Sequence, residues 1–316
     1  MYALSDKKYW SGRIDSEDNP DSFRFHQAIT ITDVKNLTGN ESAFGIVGFE
    51  CEEGVRRNKG RLGAALAPNK IRQFLSSLPY NIDKKVVDTG NISCENGELE
   101  KAQEQLGSHL NELYSHSCTP IILGGGHETL YGHYLGARQY IGPDAKLGII
   151  NIDAHFDMRD DPIPSSGTMF RQILEQDSNA GYLCIGIQEF GNTKSLFNTA
   201  DRLGCRYIYE EDVTANNFQE TFGAIDQFSK DHDYIILTLC TDSIIAYAAP
   251  GVSAPSPFGL DPKTVKTLLK YTAAKENMLS FDISEVNPTY DQDDRTVRLA
   301  AYYLAEVMNQ FNKNKA

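Results

Sequence analysis

A three-layer α/β sandwich is expected, with helices on both faces of a mainly parallel central sheet of about eight strands, and three observations predict it. Apolar runs bounded by turn residues recur along the chain, and most are continuously hydrophobic, as strands buried on both faces are. Amphipathic helical patterns lie between them. Clusters of Asp, His and Gly close several runs, at the strand ends where open α/β sheets carry their sites.

The runs cover 43–49, 85–87, 120–123, 146–152, 182–187, 206–209, 234–240 and 278–283. Residues 98–114 and 168–174 place apolar side chains near helical spacing. Asp261 and Pro262 open a further helix, with Asp as N-cap and Pro at the first helical position. Residues 296–311 are amphipathic. A prior of about 150 residues per domain suggests two domains for 316 residues. The unbroken alternation from residue 43 onward, with no Pro-, Gly- or Ser-rich linker and no repeat, argues instead for one α/β domain over 41–316. Residues 1–40 then form an N-terminal extension packed on that domain, with Phe23, Phe25 and Ile29 able to dock.

Hydrophobic content of 41% and charged content of 23% suit a globular chain with a sizeable core. A net charge of −13 argues against nucleic acid and against an anionic membrane as partners. No apolar run reaches the ~18 residues of a transmembrane helix, and the polar N-terminus lacks a signal-peptide core. A cytoplasmic location is therefore expected. The six cysteines are scattered without a CxxC pair, which reads as free thiols, mostly small core residues.

The chemistry concentrates in Asn151-Ile152-Asp153-Ala154-His155-Phe156-Asp157. In extended chain, alternate side chains point to one side, so Asp153, His155 and Asp157 converge on one point. Such an acid–imidazole set suits a divalent cation that prefers oxygen, Mn²⁺ first. Ile121 to Glu128 ends a strand in three glycines and His127, a second candidate ligand. The glycines also suit a phosphate turn, but the P-loop lysine and hydroxyl residue are missing. Cys240 and Asp242 close the strand at 234–240 from a shared face, against the plainer reading of a core thiol and a turn residue. Asp282 and Glu285 lie near the tip of the last strand, and Glu285 could orient a cationic substrate group.

Taken together, GGGH, then NIDAHFD, then a strand ending in Cys240-Thr241-Asp242 followed by Ala249-Pro250-Gly251, then DISEVNP, resemble the ureohydrolase (arginase/agmatinase) family over about residues 43 to 310. The segments 58–64, 166–172, 191–193 and 249–255 are most similar to its formimidoylglutamase branch. The resemblance implies an arginase-like fold and a metal-dependent C–N hydrolase cleaving N-formimidoyl-L-glutamate to L-glutamate and formamide in histidine degradation. It implies two Mn²⁺ per subunit. His127, Asp153, Asp157 and Cys240 would hold one ion, and Asp153, His155, Cys240 and Asp242 the other. Asp242 would also move a proton to the leaving nitrogen, and Glu285 would accept hydrogen bonds from the amidine. For the substrate's carboxylates and polar groups the candidates are Asn58, Lys59, Arg61, Arg159, Ser166, Arg171, Asn192 and Thr193. A homo-oligomer is implied by the family alone.

The sequence departs from the wider family in three places. Cys240 stands where a bridging aspartate is usual, and a soft thiolate suits Mn²⁺ poorly, so the second ion is expected to bind weakly, through a tolerated thiolate bridge, or as another metal. Ile245 replaces an aspartate common behind the ligand strand. Ser166 replaces a histidine common before Gly-Thr in agmatinase-like members, which argues against a guanidino substrate positioned by imidazole. The alternatives are an agmatinase, guanidinobutyrase or arginase releasing urea, and a non-enzymatic scaffold whose site has decayed at Cys240 and Ile245.

Overall fold

A computed structural model describes residues 1–39, 42–215 and 217–314 of the chain. Among the described residues, ten strands form one sheet: β1 (Tyr2–Ala3), β2 (Thr30–Ile31), β3 (Phe44–Glu50), β4 (Val86–Ser93), β5 (Thr119–Leu123), β6 (Leu147–Ile152), β7 (Ala180–Ile187), β8 (Arg206–Tyr209), β9 (Tyr234–Cys240) and β10 (Met278–Ser284). Their order is β1-β4-β3-β5-β10-β9-β6-β7-β8, with β2 also on β4. Only the β1–β4 pairing is antiparallel. The two-residue β1 and β2 come from the N-terminal segment, which leaves eight longer strands for the expected sandwich.

The helices are α1 (Phe25–Ala28), α2 (Glu53–Arg57), α3 (Ala67–Leu75), α4 (Leu99–Ser115), α5 (Thr129–Ile141), α6 (Met169–Gln176), α7 (Lys194–Arg202), α8 (Phe218–Lys230), α9 (Pro262–Ala273) and α10 (Arg295–Asn314). Alternation along the strands feeds two core layers. Ile121, Leu123, Ile150, Ile152, Leu237 and Leu239 meet α3, α8, α9 and α10 on one face. Ile122, Ile149 and Ile236 meet α4 to α7 on the other. The start of α9 follows its chemistry: Asp261 accepts from the amides of Lys263 and Thr264 at 2.9 and 3.1 Å, a cap worth about 1 kcal/mol. No described helix is long and apolar enough to cross a membrane.

β4 runs well past the expected 85–87 because its polar middle is buried and paired rather than exposed. Arg72 of α3 holds both oxygens of Asp88 at 2.8 and 2.9 Å, Asn91 at 2.6 Å and the Gly90 carbonyl at 2.9 Å. Trp10 donates to the same Asp88 at 2.6 Å, and Arg72 and Asp88 are both fully buried. Removing one partner of such a pair strands a buried charge. Arg72→Met is therefore expected to lower the unfolding free energy by about 3–5 kcal/mol in urea titration. A loss under about 1 kcal/mol would show that Trp10 alone satisfies Asp88.

Candidate metal centre

Four neighbouring strands deliver the site. β5, β10, β9 and β6 are consecutive in the sheet and parallel, and Leu123, Ile283, Leu239 and Ile152 stand in one register row, at the strand end or one residue before it. His127, Glu285, Cys240 and Asp153 each lie at or just beyond that row, so residues far apart in sequence share one crevice. The glycine turn after β5 serves this approach. A Cβ on Gly125 would stand 1.9 Å from the Cys51 carbonyl oxygen. The turn is also stitched to its neighbours, since Glu285 N–H donates to the Gly125 carbonyl at 2.8 Å and to the Glu285 carboxylate His127 N–H donates at 2.9 Å.

Within the crevice, His127 Nδ1 lies 3.1 Å from Asp153 Oδ2 and 3.0 Å from Asp157 Oδ2. His155 Nδ1 lies 3.6 Å from Asp153 Oδ1 and 3.4 Å from Asp242 Oδ2. Cys240 Sγ is 2.9 Å from Asp242 Oδ1. Two sets of ligand atoms each gather within 4.8 Å: His127, Asp153 and Cys240, and Asp153, His155 and Asp242. Asp153 belongs to both.

The convergence of 153, 155 and 157 is not the work of extended chain alone. β6 stops at Ile152, and Asp157 has a φ of 50°, a left-handed turn that Asp tolerates better than most residues. Asn192 locks this loop: it accepts from Phe156 N–H at 3.0 Å and donates to the carbonyls of Ala154 and Gln188 at 2.9 Å each. Glu285 is likewise left-handed at φ 66°, held there by the pairing with the glycine turn.

The electrostatics favour added positive charge. Asp153 is fully buried, and Asp242 and Glu285 are 5% exposed. Among the described residues, the ion pairs of Asp153, Asp157 and Asp242 are all with His127 and His155, never with Lys or Arg. Burial opposes protonation of His127, but hydrogen bonds to Asp153 and Asp157 outweigh it and push its pKa well up. Burial opposes it at His155 too, where the charge of Asp242 prevails. Burial, then the charges of Asp242 and Glu128, raise Glu285; burial, then Asp153 and Asp242, raise the Cys240 thiol. Glu285 Oε2 is buried and finds no hydrogen-bond partner among the described residues. Surplus buried carboxylate around imidazole nitrogen, with one sulfur, is a donor set that fits divalent cations of the manganese kind.

Above this floor opens a cavity of about 350 Å³. Lys59, Arg61 and Arg159 line its wall beside Asn58, Ser166 and Asn192. Asn58 donates to Ser166 Oγ at 3.0 Å, and its own buried Oδ1 has no partner among the described residues. Arg61 is partly committed: it donates to the carbonyls of Ser253 (2.9 Å) and Val252 and stacks over Tyr290 at 4.3 Å. Arg159 is freer: among the described residues its side chain pairs with Asp161 alone, at 3.3 Å. Arg171 does not line the cavity. It pairs with Asp160 and Glu175 at 3.1 and 3.0 Å, because its helix α6 turns it outward. Thr193 stands before α7 and does not line it either. Gly191, Leu196, Ser253 and Ala254 also line it; all but Leu196 fall in the segments 191–193 and 249–255 singled out above, though as single residues they were not named.

The arginase family profile matches residues 42–309. The formimidoylglutamase of Geobacillus sp. (strain WCH70) is 51% identical over 319 residues, covering 100% of this chain and 98% of its own. That of Lysinibacillus sphaericus (strain C3-41) is 50% identical over 314 residues, covering 98% of each. Among solved structures, formimidoylglutamase from Bacillus subtilis subsp. subtilis str. 168 superposes with a TM-score of 0.84 over 98% of this chain and 99% of its own, at 23% identity. Trypanosoma cruzi formiminoglutamase with Mn²⁺ superposes with a TM-score of 0.78 over 89% and 98%, at 24% identity. At those identities the superpositions speak for the shared α/β fold.

Proposed function

The chain belongs to the arginase family, and from that premise we propose that it hydrolyses the formimidoyl C–N bond of N-formimidoyl-L-glutamate to give L-glutamate and formamide. The observation that carries this reading is the pairing of an acid–imidazole floor with a basic wall in one cavity. The floor suits metal ions and a cationic amidine, and the wall suits the two carboxylates of a glutamate. Agmatine, cationic at its far end, would meet Lys59, Arg61 and Arg159 with like charge.

Two Mn²⁺ would be held here, one by His127, Asp153, Asp157 and Cys240 and the other by Asp153, His155, Cys240 and Asp242. Such ions supply Lewis acidity and lower the pKa of water. The remaining work belongs to side chains. Glu285 Oε2, buried and unpartnered among the described residues, accepts hydrogen bonds from the amidine nitrogens and fixes the carbon to be attacked. Asp242, beside His155, carries a proton to the departing glutamate nitrogen. Arg159 and Lys59 take the carboxylates, while Asn58 and Ser166 shape the wall between them.

Cys240→Asp exchanges a soft donor, whose thiol must also lose a proton against burial, for a hard one. Manganese is expected to bind as tightly as in the parent or more tightly, read by titration with Mn²⁺. Complete loss of metal would show the thiolate to be essential.

The test of the activity is parallel incubation of Mn²⁺-loaded protein with N-formimidoyl-L-glutamate, agmatine and arginine, following formamide and urea. Formamide from the first, with no urea from the others, is expected. Urea from either guanidino compound would overturn the assignment.

A further inference from the structure

Behind the metal-facing edge of His127 runs a line of hydrogen bonds closed to solvent. His127 Nε2 lies 3.1 Å from Thr238 Oγ1. Thr238 donates to Asp282 Oδ1 at 2.8 Å, and Ser284 donates to the same oxygen at 3.0 Å. Asp282 Oδ2 meets His133 Nδ1 at 2.7 Å, and His133 Nε2 meets Ser280 Oγ at 2.6 Å. Ser280 in turn bonds the hydroxyl of Tyr114. Thr238, Asp282, His133, Ser280 and Ser284 are all fully buried.

The sheet sets up this line. Asp282 and Thr238 are register partners across β10 and β9, so their side chains stand together. Ser280, Asp282 and Ser284 alternate along β10 and share a face. The residues between them, Phe281 and Ile283, fill the opposite core layer with hydrocarbon. A layer that needed only filling would do the same here, since buried polar groups are costly unless satisfied. These are satisfied, and in a fixed direction.

A carboxylate only accepts, so Thr238, Ser284 and His133 Nδ1 all donate to Asp282. Thr238 has one proton, and it is spent on Asp282. Its oxygen can therefore offer His127 nothing but a lone pair. His127 Nε2 must carry hydrogen, which leaves Nδ1, the nitrogen near Asp153 and Asp157, as the ligand atom. We infer that Asp282 is a positioning residue of the metal centre: through Thr238 it fixes the tautomer and ring orientation of His127, and His133 holds Asp282 in turn. The inference rests on the two-ion reading above. Outer partners of this type commonly tune affinity about 10- to 100-fold.

Manganese titration of the full chain, with free Mn²⁺ followed by electron paramagnetic resonance, tests it without reference to turnover. The parent is expected to take two ions. Thr238→Val keeps the shape but loses the hydroxyl, and should loosen one ion about 10- to 100-fold while leaving the other unchanged. Asp282→Asn should act in the same direction, and Thr238→Ser, which keeps the hydroxyl, should restore parental binding. Loosening confined to one ion separates positioning of His127 from general loss of structure, which would weaken both. Two ions held as tightly in Thr238→Val as in the parent overturn the inference alone. A parent that binds one ion or none overturns the two-ion reading and this inference with it.

Discussion

Asp153→Ala is expected to abolish turnover and to release both metal ions. Asp153 is the one carboxylate that belongs to both sets of converging ligand atoms, fully buried between His127 and His155. The two imidazoles hold its pKa low, against the burial that would raise it, so its charged form is favoured. Losing a shared ligand should cost more than the roughly 10- to 100-fold loss typical of an outer-shell partner, so kcat/KM should fall at least ~10³-fold. The alanine also strands the His155 amide, which now donates to Asp153 at 2.9 Å, at a cost of about 1–3 kcal/mol. Metal content and steady-state rates of the purified variant check this together. Retained turnover would refute a shared role for Asp153.

Glu285→Gln should behave in the opposite manner with respect to metal. The amide oxygen can still accept from the His127 N–H, now 2.9 Å from Oε1, so both ions should stay. The lost charge is the partner of the cationic amidine, and truncating one side of a buried charge pair costs about 2–5 kcal/mol. A drop in kcat/KM of at least about 30-fold is therefore expected. Burial pushes the pKa of Glu285 well up, so its charged form is disfavoured in the metal-free fold. Gln should leave the melting temperature of the metal-free protein unchanged or higher. Activity within threefold of the parent would remove Glu285 from substrate binding, and loss of metal would reassign it to the metal centre.

What could be read from the sequence follows a physical division. The long apolar runs announced β3, β5, β6, β7, β9 and β10 almost to their ends, because buried parallel strands need hydrocarbon on both faces. β4 was cut short because Asp88 and Asn91 look like a turn until Arg72 is brought to them from α3. α3, α5, α7 and α8 are not among the helices expected from the sequence; α5 begins two residues after His127 and carries His133 into the core as polar cargo. At the site, side chains with distinctive chemistry declared themselves, and the structure gathers His127, Asp153, His155, Asp157, Cys240, Asp242 and Glu285 into one crevice. Side chains whose role depends on what lies opposite did not. Asn192 does line the cavity, with its amide held by loop carbonyls; Arg171 was expected there and instead faces Asp160 and Glu175. Asp282 lies one strand-face from the ligands, yet only its contact with Thr238 shows what it could do.

All of this rests on one proposition, that four adjacent strand ends build a centre for two metal ions. Anomalous diffraction at the manganese edge, from crystals grown with Mn²⁺, tests it most directly. Two peaks are predicted, one among His127, Asp153, Asp157 and Cys240, the other among Asp153, His155, Cys240 and Asp242. A single peak, or peaks away from Asp153, would contradict it.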